Sequence, residues 1–142
     1  MKENKTNHIN YKDIFIIISN KGGVGKTNSS IQVIAPSLYL NNPDKKIHVW
    51  EIDNNNNTKK HISSKYIQYE SMKLSKSEMA INDIEFSNLT DPNTVHVVDS
   101  GGSDDSKKIL AHLKQVNLIG LQYIIPTNED MEQIDNITEI IE

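Results

Sequence analysis

The chain has no cysteine and no arginine among its 142 residues. Without cysteine it forms no disulfide, no thiolate metal site and no thiol nucleophile, and such a composition fits a reducing compartment. Without arginine, all 15 basic residues are lysine. An arginine finger therefore cannot come from this sequence, either in cis or from an identical partner. No apolar run approaches the ~20 residues of a membrane-spanning helix, so no membrane contact is expected. The first ten residues, MKENKTNHIN, lack the apolar centre of a signal peptide, and a cytoplasmic location is the expectation. The formal charge of −4 leaves no basic footprint, so the sequence does not support DNA binding. The five histidines, at 8, 48, 61, 96 and 112, show no metal-ligand spacing; His48 and His96 are expected to pack in or beside strands. No Gly-x-Ser-x-Gly elbow is present, and Asp104-Asp105 reads as a solvated helix start.

What is present is a core-forming composition, 36% hydrophobic and 24% charged, on a chain of about one domain's length. Residues 1–12 read as a polar tail. Asp13-Ile-Phe-Ile-Ile-Ile18 is apolar on both sides and β-branched, as a buried parallel strand would be. A helix is expected over 27–41, with Ile31, Ile34, Ala35 and Leu38 on its buried face and a kink at Pro36. Strands follow at 47–52, 94–98 and 119–125, with helices at 106–116 and 129–142. Residues 54–57 form an Asn-rich loop, and 58–92 show no clean period. The alternation implies an α/β domain over 13–142 with a mainly parallel sheet, its functional loops at the carboxyl ends of the strands.

One motif carries specific chemistry. Lys21-Gly-Gly-Val-Gly-Lys-Thr27 lies between the first strand and the first helix. Glycines let backbone N–H groups wrap a polyphosphate, and a helix start adds its free N–H groups and dipole. Gly22, Gly23 and Gly25 supply the wrap. Lys26 reaches the β- and γ-phosphates, and the Thr27 hydroxyl is placed to ligate Mg²⁺. The usual pattern G-x-x-x-x-G-K-S/T is not met, because Asn20 stands where its first glycine would be.

The motif resembles the variant P-loop of the ParA/MinD family, the plasmid and chromosome partitioning ATPases and the division-site regulator MinD. The resemblance implies a P-loop three-layer α/β/α fold, ATP and Mg²⁺ as ligands, and an ATP-dependent homodimer. It makes Lys21 the residue that reaches the partner subunit's phosphates. It places Val24 and Asn28 with the rest of 21–28 around the nucleotide, Asn28 standing where the family usually has threonine. Asp99, closing an apolar strand, matches the Mg²⁺-holding aspartate. Ser100-Gly101-Gly102 matches the loop that senses the γ-phosphate through a backbone N–H, with Gly102 in the nucleotide set. Gly101 departs from the family's proline, and a freer loop is expected. Glu51-Ile-Asp53 resembles the family's Asp-x-Asp segment, which gives Asp53 the catalytic role of orienting the attacking water. Pro126, in Ile124-Ile125-Pro126-Thr127-Asn128, resembles a segment near the base; a proline ending a strand explains it equally well.

Family members run further and add strands, helices and a basic surface. The expectation is a short domain without those C-terminal elements and with an exposed last strand at 121–125, an invitation to self-association. The leading functional expectation is a nucleotide-switched partitioning ATPase working with a partner protein of a partition or mobilisation system. Also open are a truncated, non-catalytic nucleotide- or partner-binding homologue, a conjugation or mobilisation accessory ATPase, and a metabolic ligase on the same fold.

Overall fold

The structure, a computed structural model, describes residues 13–18, 33–53, 65–102, 104–116 and 121–125. The elements in order are β1 (Ile14–Ile17), α1 (Ala35–Asn41), β2 (Lys46–Ile52), β3 (Ile67–Met72), a 3-10 turn (Leu74–Lys76), α2 (Ser77–Thr90), β4 (Thr94–Ser100), α3 (Asp104–Gln115) and β5 (Gln122–Ile124). The five strands form one sheet in the order β3-β2-β4-β1-β5, and every pairing is parallel.

Parallel pairing needs long crossovers, and the crossing helices cover both faces of the sheet. That is why β4 is buried at all seven positions and why its sequence, TVHVVDS, shows no polar alternation. On one face α1 lays Ala35, Leu38 and Tyr39 over Ile17, Ile47, Val49, Val95 and Val97. On the other, α2 and α3 set Ile81, Ile84, Ile109 and Leu113 against Ile14, Ile16, Trp50, Ile52 and Val98. The β1-to-β2 passage runs toward the β3 edge by way of α1. The β3-to-β4 and β4-to-β5 passages run the opposite way by way of α2 and α3. Opposite directions on opposite faces are what the single handedness of such crossovers requires.

Strands β1, β2 and β4 fall where the apolar runs place them, with β4 two residues longer than expected because Asp99 and Ser100 continue its pairing with β1 and β2. Val33 and Ile34 have the wide winding of a π-type turn, and regular α-helix starts at Ala35. Pro36 thus sits in the first turn of α1, the helix position that tolerates proline best. The span 58–92 proves to hold β3, the 3-10 turn and α2. Its period is blurred because α2 exposes Met79, Phe86 and Leu89 opposite its buried Ala80, Ile81 and Ile84. Helix α3 begins at Asp104, two residues earlier than the apolar spacing indicated. The last strand pairs over three residues, and Tyr123 is 48% exposed at the sheet's edge among the described residues. The tail at 1–12, the loop at 54–57 and the helix expected at 129–142 lie outside the described residues. No helix among the described residues is long and apolar enough to cross a membrane.

Both strand histidines sit in the sheet, paired in register. Trp50 Nε1 donates to His96 Nδ1 at 3.1 Å, so the neutral ring carries its proton on Nε2. That Nε2 is buried without a hydrogen-bond partner. Burial, reinforced by nearby His48 and opposed by Asp91 and Asp13, pulls the His96 pKa down to about 4. His48 stacks on Trp50 with ring centroids 4.2 Å apart. Its pKa is lowered by burial against the opposing pull of Glu70. A base depressed in the folded state leaves the unfolded chain holding more protons, so stability is full above pH ~6.5 and falls toward pH ~4. The His96 shift alone is expected to cost about 3 kcal/mol across that window. Urea denaturation at several pH values should show this slope, and His96→Asn, which keeps an acceptor for Trp50, should flatten it. Equal slopes in the two proteins would contradict the assignment.

Candidate functional site

An all-parallel sheet gathers the carboxyl ends of its strands on one edge. Register places Ser71, Glu51, Asp99, Ile17 and Ile124 in one row across β3, β2, β4, β1 and β5. Neighbouring strands are ~4.8 Å apart, so Asp99 stands directly between Glu51 and the end of β1. Asp99 and Ser100 are each 2% exposed, and pleating sends them to opposite faces. Asp99 shares the α1 face with Val95 and Val97. Ser100 takes the other face, where its Oγ lies 2.8 Å from that of Ser106 in α3.

This edge is also where the chain reverses its winding. From β1 the path leads to α1 on one face, and from the adjacent β4 to α3 on the other. In open α/β sheets the crevice at such a switch point is where ligands bind. Asp99 and residues 100–102 lie at the carboxyl end of β4, beside the end of β1.

The loop is held rather than free, which corrects the expectation drawn from Gly101. Gly101 N–H donates to Ile52 O at 2.8 Å. Its carbonyl accepts from Ser106 Oγ at 2.6 Å. A Cβ on Gly101 would stand 2.5 Å from Asp105 Oδ2 and 2.8 Å from Asp105 Cβ, so a side chain there would force Asp105 to shift. Gly101 N–H is committed to Ile52, whereas Gly102 N–H makes no hydrogen bond among the described residues. Gly102 O accepts from Asp105 N at 3.3 Å. Asp104 and Asp105 lie in the first turn of α3, the favourable end of its dipole.

On β2, Glu51 accepts a hydrogen bond from Tyr69 Oη at 2.9 Å. Burial is the main cause of a raised Tyr69 pKa, followed by the bond to Glu51 and the charges of Glu51 and Asp99. Glu51 and Asp99 thus both bear on this part of the α1 face. Asp53 N–H bonds Met72 O at 3.2 Å, so extended pairing runs one residue past β2 and alternation puts Asp53 on Glu51's face. Tyr69 went unread in the sequence, because only the β2–β3 register reveals its nearness to Glu51. Alternation of Ile67, Tyr69 and Ser71 was the available signal.

Of the residues singled out by sequence, Asp53, Asp99 and Gly102 come together on the adjoining ends of β2 and β4. Lys21, Gly22, Gly23, Val24, Gly25, Lys26, Thr27, Asn28 and Pro126 lie outside the described residues. Among the described residues no group of three His, Asp or Glu side chains is placed to hold a metal. No protein-family model, curated protein or solved structure matches this chain.

Gly101→Ala is expected to cost about 1–3 kcal/mol through overpacking against Asp105, read from the denaturation midpoint; an unchanged midpoint would show that the approach is not tight. Tyr69→Phe removes only the hydroxyl and leaves a partly buried carboxylate short of a donor. A loss of about 1–2 kcal/mol is expected at neutral pH. An unchanged denaturation midpoint would show that the Tyr69–Glu51 bond contributes nothing to stability.

Proposed function

We propose that this chain is a nucleoside-triphosphate-binding protein, a Mg²⁺-dependent ATPase of the ParA/MinD partitioning kind on a P-loop three-layer α/β/α fold. One observation carries the reading. Ile17 and Asp99 are paired in register, so the segment holding Lys21 to Thr27 leaves β1 beside the buried aspartate of β4, at the switch point of the sheet. A phosphate-wrapping loop and a cation-holding carboxylate on adjacent strand ends are what a triphosphate site needs.

The residues present suit Mg²⁺. That ion is bound through one or two carboxylates together with phosphates and waters, not by a cage of protein carboxylates. The buried Asp99 would hold such an ion through a coordinated water, with the Thr27 hydroxyl as a direct protein ligand. Bound there, the cation would offset charge on the β- and γ-phosphates. Lys26 binds the same phosphates, and the Gly102 N–H faces the γ-phosphate. Asp53 orients the attacking water. Lys21 supplies the positive charge that no arginine here can supply, across a homodimer interface. Slow hydrolysis then opens the dimer, and the output is a switch in plasmid or chromosome segregation, read by a partner protein.

Calorimetry with ATP and Mg²⁺ on the full chain tests this. Saturable binding is expected, weakened at least about tenfold by Lys26→Ala and by Asp99→Asn, since each removes a charge-assisted contact. Lys21→Ala should retain binding but lose the ATP-dependent dimer in light scattering. No heat of binding at millimolar ATP would overturn the proposal. Binding without turnover, unaltered by Asp53→Ala, would leave a non-catalytic nucleotide-binding module.

A further inference from the structure

Two hydroxyl protons serve three contacts where β1, β4 and α3 meet. Ser100 Oγ lies 2.8 Å from Ile17 O and 2.8 Å from Ser106 Oγ, while Ser106 Oγ lies 2.6 Å from Gly101 O. Each serine has one proton to donate, and the carbonyls have none. One of the three contacts is therefore always without a proton. Both side chains are buried, at 2% and 1% exposure, so the competition is settled inside the protein.

The acceptor with the shortest contact has a particular consequence. Gly101 C=O and Gly102 N–H belong to one planar trans peptide unit, so their bond directions are opposed. Holding Gly101 O toward Ser106 turns Gly102 N–H away from α3. The Gly101 side of the loop is fixed too, by its N–H on Ile52 O, and Gly101 has no room for a side chain that would tilt it. The orientation of Gly102 N–H thus rests on Ser106, a residue of α3.

We infer that Ser106 is a positioning residue of the candidate nucleotide site, aiming Gly102 N–H at a terminal phosphate through their shared peptide plane. Ser100 competes for the same proton and ties it to the end of β1. This rests on the nucleotide-binding reading above and adds a specific expectation: Ser106 matters for a triphosphate and not for a diphosphate. Removing Ser100 takes away one contact that competes for the Ser106 proton.

The test compares ATP and ADP, each with Mg²⁺, by calorimetry on the full chain. In Ser106→Ala, ATP affinity should fall about tenfold, the scale of one misplaced charge-assisted bond, with ADP affinity unchanged within about twofold. Ser100→Ala, a similar loss of a buried hydroxyl, should keep the wild-type ATP-to-ADP ratio or raise it. Ser106→Cys, near in size but a weaker donor, should give an intermediate ratio, and it carries the test if the alanine variant does not fold. Equal losses for ATP and ADP in Ser106→Ala, or a ratio that drops as far in Ser100→Ala, would overturn the positioning role while leaving nucleotide binding intact. A wild-type protein that binds neither nucleotide would overturn both.

Discussion

Uniform strand direction is the constraint on which the rest of this structure depends. Every pairing in the sheet is parallel, so each connection has to travel back over a face before the next strand begins. Helices then occupy both faces, the central strand is buried at every position, and the five carboxyl ends collect on one edge. Order adds the second consequence. Because β4 lies between β2 and β1, the passages leaving β1 and β4 diverge to opposite faces, and a crevice opens between them. Asp99 is at that crevice through hydrogen-bond register, with no side-chain interaction needed to bring it there.

The edge is chemically polarised. Toward α1 it carries Glu51, Asp53 and Asp99, and the raised pKa of Tyr69 reports the field of two of these carboxylates after burial itself. Toward α3 it carries two buried hydroxyls and a fixed peptide plane, with Asp104 and Asp105 in the first turn of the helix. Gly101 contributes rigidity here, because its lack of a side chain lets α3 close onto the loop.

Much of this was legible in the sequence, for identifiable reasons. Strands β1, β2 and β4 announce themselves because burial on both faces leaves unbroken β-branched runs, and the acids Asp53 and Asp99 stand where those runs stop. β3 and α2 were hidden because each is half-exposed: β3 is an edge strand whose burial alternates, and α2 shows solvent Met79, Phe86 and Leu89. Tyr69 and Ser106 were missed because their partners are set by register and by helix docking, which no local spacing encodes. The Lys21 to Thr27 motif is the converse case, a segment whose chemistry is written in its residues and lies outside the described ones.

The central claim is that the β1–β4 carboxyl edge binds a triphosphate with its cation. Amide hydrogen exchange on the full chain, with and without ATP and Mg²⁺, tests it most directly. Added protection is predicted at 17–18 and 99–102, with none at the opposite edge around Lys46 and Thr94. Unchanged exchange at 99–102 under saturating nucleotide, or protection confined to the opposite edge, would contradict it.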